Sequence, residues 1–379
     1  MMDPAWFVDR LGQLGVNFYT GVPDSLLKHL CAHVMRELPR EAHVITANEG
    51  AAVGMAIGHH LRTGETALVY LQNSGFGNTV NPLLSLADPD VYGIPMILLV
   101  GWRGQPGVKD EPQHVKQGRI MEKLIEALEL PFAVLPRAVN EADDCLRQAV
   151  EVAKQHSTPY ILLVEKDTFD SPTSNASGDQ VSAPQLASRE DALVALADAL
   201  GNDTINVSTT GMLSRELFEY RQRAGQSGER DFLTVGGMGH ANSIAMGIAM
   251  NEAEREVWCL DGDGAALMHL GTLAVLADHG AKNLFHVVFN NGVHDSVGGQ
   301  PTSIGVVDLA ATARALGYGY AASIDSLDEL PTRVAEMREA TGPALLELRV
   351  RPGNRPDIGR PTRTPAESKV AFMDALGAR

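Results

Sequence analysis

Two short clusters in the second half of the chain have residue types and spacing suited to chemistry. The first is Asp261-Gly262-Asp263-Gly264, and about 25 residues on comes Asn290-Asn291-Gly292. A carboxylate and an amide oxygen are hard ligands, the kind a divalent cation such as Mg²⁺ shares with phosphate oxygens. The flanking glycines allow close backbone approach to a diphosphate, and a helix N-terminus favours its charge. Alone, Asp-Gly is an ordinary turn dipeptide. The asparagine pair at this spacing is what makes a binding site the better reading.

Other candidates lie in the first half. Glu49, in Ala47-Asn48-Glu49-Gly50-Ala51-Ala52, opens a small-residue helix after a strand. A glutamate there can simply complement the helix dipole, whereas a small-residue, apolar surround would raise its pKa and suit proton sharing. Asp24 and Ser25 follow the first strand, where helix capping explains them as well as a role toward a ligand does. Gln72 and Asn73 end a later strand. His114 has an ordinary imidazole pKa near neutrality, fit for proton donation, and its Pro-Gln context predicts a loop. His59 and His60 lack a third ligand at sensible spacing and read as structural.

These residues need a scaffold that gathers strand ends. Apolar runs of strand type alternate with helical patterns: Val16–Thr20, His43–Thr46, Thr66–Leu71, Pro95–Gly101, Pro131–Leu135 and Tyr160–Val164. Helices are expected at Ser25–Arg36, Glu49–Leu61, Arg119–Leu128 and Glu141–Gln155. The alternation restarts with strands at Thr204–Val207, Asp231–Val235, Val257–Leu260, Leu284–Phe289, Gly319–Ala322 and Ala344–Leu348. Helices there are expected at Ser214–Arg223, Asn242–Asn251, Leu267–His279, Asp308–Leu316 and Ser326–Ala340. This is an α/β fold with parallel sheets and crossover helices, whose ligands bind at the carboxyl ends of the strands. The expected domains are 1–168 and 189–379, joined by a polar Ser/Pro linker at 169–188, the second ending in an Arg-rich tail. The small-residue helices near 51–58 and 245–250 fit either a duplication or a shared α/β habit.

The chain has 379 residues, 44% of them hydrophobic, and a formal net charge of −16. That balance argues against nucleic acid and anionic membrane as partners. It does not argue against a small anion, because the charge is uneven. Segment 101–123 carries a local +2 and segment 349–363 a local +4. Arg103, Lys109, Arg355 and Arg360 in these segments are candidate anion ligands. For any single one of them, a solvated surface charge is the commoner explanation. Three scattered cysteines, no signal-peptide pattern and no apolar run of membrane length point to a reducing, cytoplasmic setting.

The Gly262-Asp263-Gly264 and Asn290-Asn291 pairing resembles the binding signature of the thiamine-diphosphate-dependent enzymes. The resemblance implies two cofactor-binding domains, one of pyrimidine type and one of diphosphate type. It implies Asp263, Asn291 and the Val293 carbonyl as Mg²⁺ ligands, with Gly262, Gly264 and Ala265 near the diphosphate. Glu49 matches the glutamate set against the aminopyrimidine, which promotes the tautomer that takes the C2 proton. Met238, with Gly237 beside it, matches the apolar wedge under the cofactor. Thr210 and Gly211 match donors to the diphosphate, and Gln72 and Asn73 fall at the pyrimidine side. There is no middle domain, and the compact form resembles the decarboxylases of phosphonopyruvate and sulfopyruvate. The segments that carry this likeness are Phe18–Ser25, Gln72–Asn78, Asp110–His114, Ser296–Thr302 and Arg355–Pro361. The last of them tilts the likeness to the phosphonate enzymes. The implied reaction converts 3-phosphonopyruvate to phosphonoacetaldehyde and CO₂, with His114, Asp24 and Ser25 in proton handling or substrate binding. A homodimer or larger homo-oligomer, with cofactor at the subunit interface, is also implied. Alternatives are a sulfopyruvate decarboxylase, another thiamine-dependent 2-oxo acid decarboxylase or carboligase, and a binding protein without catalysis. The presence of Glu49 together with Asp263 and Asn291 speaks against the last.

Overall fold

The computed structural model describes residues 1–171, 186–252, 254–279 and 281–377. The chain divides into two units, Met1–Gly178 and Asp179–Arg379. Most of the expected linker, 169–188, lies outside the described residues.

The first unit holds six strands: β1 (Phe18–Gly21), β2 (His43–Ile45), β3 (Ala67–Gln72), β4 (Met96–Gly101), β5 (Phe132–Val134) and β6 (Pro159–Val164). They form one parallel sheet in the order β2-β1-β3-β4-β6-β5. Alternate strand residues feed two cores. Leu68, Tyr70, Ile97 and Leu99 join one, while Val69, Leu71, Leu98 and Val100 join the other. Burial on both faces explains why these strands read as continuous apolar runs.

The second unit has β7 (Ile205–Ser208), β8 (Asp231–Leu233), β9 (Val257–Gly262) and β10 (Leu284–Asn290). A small antiparallel pair follows, β11 (Val293–His294) and β12 (Gln300–Pro301), then β13 (Tyr320–Ile324) and β14 (Ala344–Arg349). The main sheet is parallel, ordered β13-β14-β10-β9-β7-β8. Counted within each unit, the two six-stranded sheets have the same order, 2-1-3-4-6-5. In such an order the chain reverses direction between the first and third strands. The crevice outside their carboxyl ends is where open α/β sheets bind ligands.

Three expectations change. His114 is not in a loop: it lies in the first turn of helix Pro112–Ala127, because Pro112 at the first helical position is pre-organised to start one. Helix Leu267–His279 is interrupted, with Asp263–Met268 and Thr272–His279 as separate helices across a His269–Gly271 break. The helix after β1 begins at Lys28, with Leu27 as its unassisted cap. Asp24 is therefore not its capping residue. Its carboxylate accepts from the Leu26 amide in the preceding turn.

Candidate active site

In the first unit, the ends of β1, β3 and β4 bring together six of the candidate residues. Asp24 is fully buried. Its Oδ1 accepts from Gln72 Nε2 at 2.6 Å and its Oδ2 from the Leu26 amide at 3.0 Å. Ser74 Oγ donates to Gln72 Oε1, fixing that amide's orientation. Gly101 is required here, since a Cβ at that position would overlap Asp24 Oδ2. Burial raises the Asp24 pKa, opposed by the Gln72 and Leu26 bonds and by the Arg103 charge. A group of this kind holds a proton at higher pH than an ordinary aspartate.

Arg103 stands beside it. Asp110 accepts from its Nε at 2.7 Å and its Nη2 at 2.5 Å, and Nη1 donates to Ser25 Oγ at 2.8 Å. Asn73 clamps the Arg103 backbone, giving Nδ2 to its carbonyl and taking its amide on Oδ1. The Asp110 pair raises the Arg103 pKa, so the cation is permanent. His114 is buried, and its pKa is lowered by burial and then by Arg103, against the pull of Asp110 and Glu111. It is therefore a neutral imidazole at physiological pH. Its Nδ1 is buried without a protein partner among the described residues. Lys109, in contrast, is exposed.

Glu49 belongs to the same cluster through the turn that follows β3. Helix Glu49–Thr63 starts with it, capped by Asn48. The side chain is buried, and Asn78 Nδ2 donates to Oε2 at 2.7 Å. Oε1 lies against Gly75 so closely that any Cβ there would overlap it. Burial raises the Glu49 pKa, with the Asn78 bond working the other way. A buried carboxyl that shares a proton readily is what an aminopyrimidine ring requires, so the residues present fit thiamine diphosphate at this end.

In the second unit, the ends of β7, β9 and β10 do the gathering. Asp263 begins helix Asp263–Met268 immediately after β9 and is buried. Thr302 Oγ1 donates to its Oδ2 at 2.5 Å. Burial pushes its pKa up to about 6, with Thr302 and the Gly264 and Asn291 amides opposing. Asn291 thus touches Asp263 through its backbone. Its own Oδ1 accepts from the Val293 amide at 3.2 Å, and its Nδ2 donates to Asp295 at 2.7 Å. Asn290 repeats the pattern, giving Nδ2 to Glu347 and taking the Gly292 amide on Oδ1. The donor set is carboxylate plus amide oxygen, which fits Mg²⁺. Ala265 is buried in the first turn of the same helix, and nothing within 4 Å would meet a Cβ on Gly262, Gly237 or Gly211. Room is therefore left beside three of the glycines expected near the cofactor. Thr210 and Gly211 follow β7, and Met238 is half-buried in the loop after β8.

The C-terminal arginines have other surroundings. Arg355 Nε bonds Glu190 at 3.0 Å, Nη2 pairs with Glu219, and Nη1 pairs with Asp357 at 3.1 Å. Three carboxylates thus engage the guanidinium. Arg360 is exposed. Sequence reasoning passed over Asn78, Thr302 and Asp295 as individuals. The first two lie inside quoted segments, so a polar residue adjoining a motif was the signal available.

Two family models match the chain. The thiamine pyrophosphate enzyme N-terminal binding domain covers residues 4–125, and the C-terminal binding domain covers 209–348. Phosphonopyruvate decarboxylase of Streptomyces viridochromogenes is 36% identical, the match covering 98% of this chain and 94% of the relative. That of Streptomyces hygroscopicus is 37% identical, covering 95% and 90%. Sulfopyruvate decarboxylase of Methanosarcina acetivorans is 26% identical, covering 98% and 97%. With two parallel-sheet units of matching strand order carrying these residues at their strand ends, the chain belongs to the thiamine pyrophosphate enzymes, in the phosphonopyruvate decarboxylase family.

Proposed function

We propose that the protein decarboxylates 3-phosphonopyruvate to phosphonoacetaldehyde and CO₂, using thiamine diphosphate and Mg²⁺. The observation that carries this reading is the end-to-end likeness to two phosphonopyruvate decarboxylases, at 36% and 37% identity against 26% for the sulfopyruvate enzyme. Bound thiamine diphosphate supplies the electron sink for carbon–carbon cleavage, a capacity the side chains lack. Asp263, Asn291 and the Val293 carbonyl would hold Mg²⁺, and Glu49 would hold the proton exchanged with the aminopyrimidine.

The remaining steps belong to the first-unit cluster. Loss of CO₂ leaves a carbon that must gain one proton before the aldehyde can leave. Asp24, buried with a raised pKa, is suited to give that proton. Neutral His114 is suited to hydrogen-bond the 2-oxo oxygen or to relay the proton. Arg103 supplies fixed positive charge toward the phosphonate, and Ser25 and Lys109 lie near it in sequence or space. Asp110 neutralises part of that charge and holds the fork in one orientation. Arg355 and Arg360 are weaker candidates for substrate contact, Arg355 because its guanidinium already meets carboxylates.

No described helix is long and apolar enough to cross a membrane. We place the enzyme in the cytoplasm as a homodimer or larger homo-oligomer, in the formation of phosphonate products. The reaction is tested by incubating the protein with phosphonopyruvate, thiamine diphosphate and Mg²⁺ and following phosphorus by NMR. Appearance of phosphonoacetaldehyde supports the proposal. Unchanged phosphonopyruvate, with cofactor bound, refutes it.

A further inference from the structure

The hydrogen-bond network behind Asn291, anchored on the buried Arg189 and Glu216, has a job that the metal ligands alone do not explain. An asparagine amide has two ends of similar shape and opposite use. The oxygen can ligate a cation, while the NH₂ repels one. Turning the amide over would spoil a cation site with little change in packing. In this structure Asn291 Nδ2 faces Asp295 Oδ2 at 2.7 Å. A carboxylate can only accept, so the NH₂ is held on that side and the oxygen, which also takes the Val293 amide at 3.2 Å on one lone pair, on the other.

Asp295 is itself immobilised. Arg189 Nη1 donates to its Oδ2 at 3.1 Å, and the Gly353 amide reaches both oxygens at 3.1 and 3.2 Å. Arg189 is buried and gives its other edge, Nε and Nη2, to Glu216, each at 2.9 Å. Helix Arg189–Leu200, helix Met212–Arg223 and the segment after β14 are thereby tied to one amide group. The triad of Glu216, Arg189 and Asp295 carries a net charge of −1 beside the proposed cation. That sign favours Mg²⁺ without adding another ligand.

We propose that Asp295, locked by Arg189 and through it by Glu216, is the positioning residue that keeps the Asn291 oxygen available to Mg²⁺. The inference rests on the assignment of Asn291 as a Mg²⁺ ligand. Outer partners of metal ligands commonly govern affinity in this way.

The test is titration calorimetry of Mg²⁺ into the chelator-treated full-length protein at saturating thiamine diphosphate. Thermal midpoints are measured without Mg²⁺ in parallel. Asp295→Asn keeps the shape but lets either face of the amide find a partner, and it should weaken Mg²⁺ by about 10- to 100-fold. Glu216→Gln should act in the same direction and less. Asp231→Asn is the control, because it breaks another buried pair, with Arg221 at 2.8 Å, at the start of β8. It should lower the thermal midpoint and leave Mg²⁺ affinity at the wild-type value.

Affinity in a folded Asp295→Asn within about threefold of wild type overturns the inference, given the size expected of outer-partner losses. An equal loss in Asp231→Asn also overturns it, since general loosening would then suffice. If Asp295→Asn does not fold, Glu216→Gln decides: wild-type affinity there overturns the inference as well. A wild-type chain that shows no Mg²⁺-dependent binding overturns the parent assignment and takes the inference with it. Wild-type binding beside an unaffected variant overturns the inference alone.

Discussion

Gly75 lies against the carboxylate of Glu49, so that a Cβ at position 75 would overlap Oε1. The turn after β3 therefore helps set where that carboxyl points. A methyl group there must push Glu49 aside. Displacement of a reacting group by about 1 Å commonly costs about 10²-fold in rate. Gly75→Ala should lower kcat by about that factor. Far-UV circular dichroism should show the fold retained. A wild-type rate would mean that Glu49 tolerates movement and has no precise role.

Glu49→Gln removes the exchangeable proton and keeps the size and the Asn78 contact. The expected fall in kcat is about 10²- to 10⁴-fold, the range for losing acid–base help. Thermal midpoint and thiamine diphosphate binding, measured on the same preparation, separate lost chemistry from lost structure. An unchanged rate would take Glu49 out of the mechanism.

Asn78 tunes the same carboxyl. Its Nδ2 bond favours the charged form of Glu49, while burial favours the neutral form. Removing the bond leaves burial with less opposition, so the pKa moves further up. In Asn78→Ala the alkaline limb of the pH–rate profile, set by loss of the Glu49 proton, should shift to higher pH than in wild type. A shift to lower pH, or none, would show that Glu49 does not govern that limb.

Much of this site was legible before the fold was seen, for a physical reason. Parallel strands buried on both faces, such as Met96–Gly101, read as apolar runs, and ligand residues follow their ends. Glu49, Asp263 and Asn291 stand out in the sequence because they follow strands in segments that resemble the thiamine-diphosphate signature. Most of the side chains that brace the site are distant in sequence, Asp295, four residues from Asn291, being the exception. Glu347 braces Asn290 across 57 positions, and Arg189 meets Asp295 across 106. No local pattern encodes such a pair. The Pro-Gln context of His114 predicts a loop, but Pro112 at the first helical position opens a helix instead. The basic count in 349–363 pointed to an anion site, yet Arg355 meets carboxylates supplied by two helices far upstream in the chain.

Arg103 is a half-buried cation of the first-unit cluster. Lysine keeps the charge and loses the planar fork that Asp110 and Ser25 hold. Arg103→Lys should raise KM for phosphonopyruvate by about tenfold or more, as expected for losing a charge-assisted contact, and affect pyruvate far less. Equal effects on both substrates would confine Arg103 to holding Ser25 and Asp110.

Stability should depend on pH through His43. Burial pushes its pKa down to about 4, and Nε2 shares a hydrogen bond with the Tyr70 hydroxyl at 2.8 Å. The unfolded chain binds a proton near pH 6.5 that the folded chain does not. The His43 contribution is thus fully present above about pH 6.5 and is lost as pH falls from there toward about 4. Thermal midpoints across that window should fall less steeply in His43→Gln than in wild type. Parallel slopes would contradict a neutral buried His43.

The central claim is tested most directly by CO₂ release from phosphonopyruvate, sulfopyruvate and pyruvate, side by side, with thiamine diphosphate and Mg²⁺ supplied. The expected result is the highest kcat/KM for phosphonopyruvate, abolished by omitting the cofactor. Preference for sulfopyruvate or pyruvate, or no release from any of the three by cofactor-loaded protein, would contradict it.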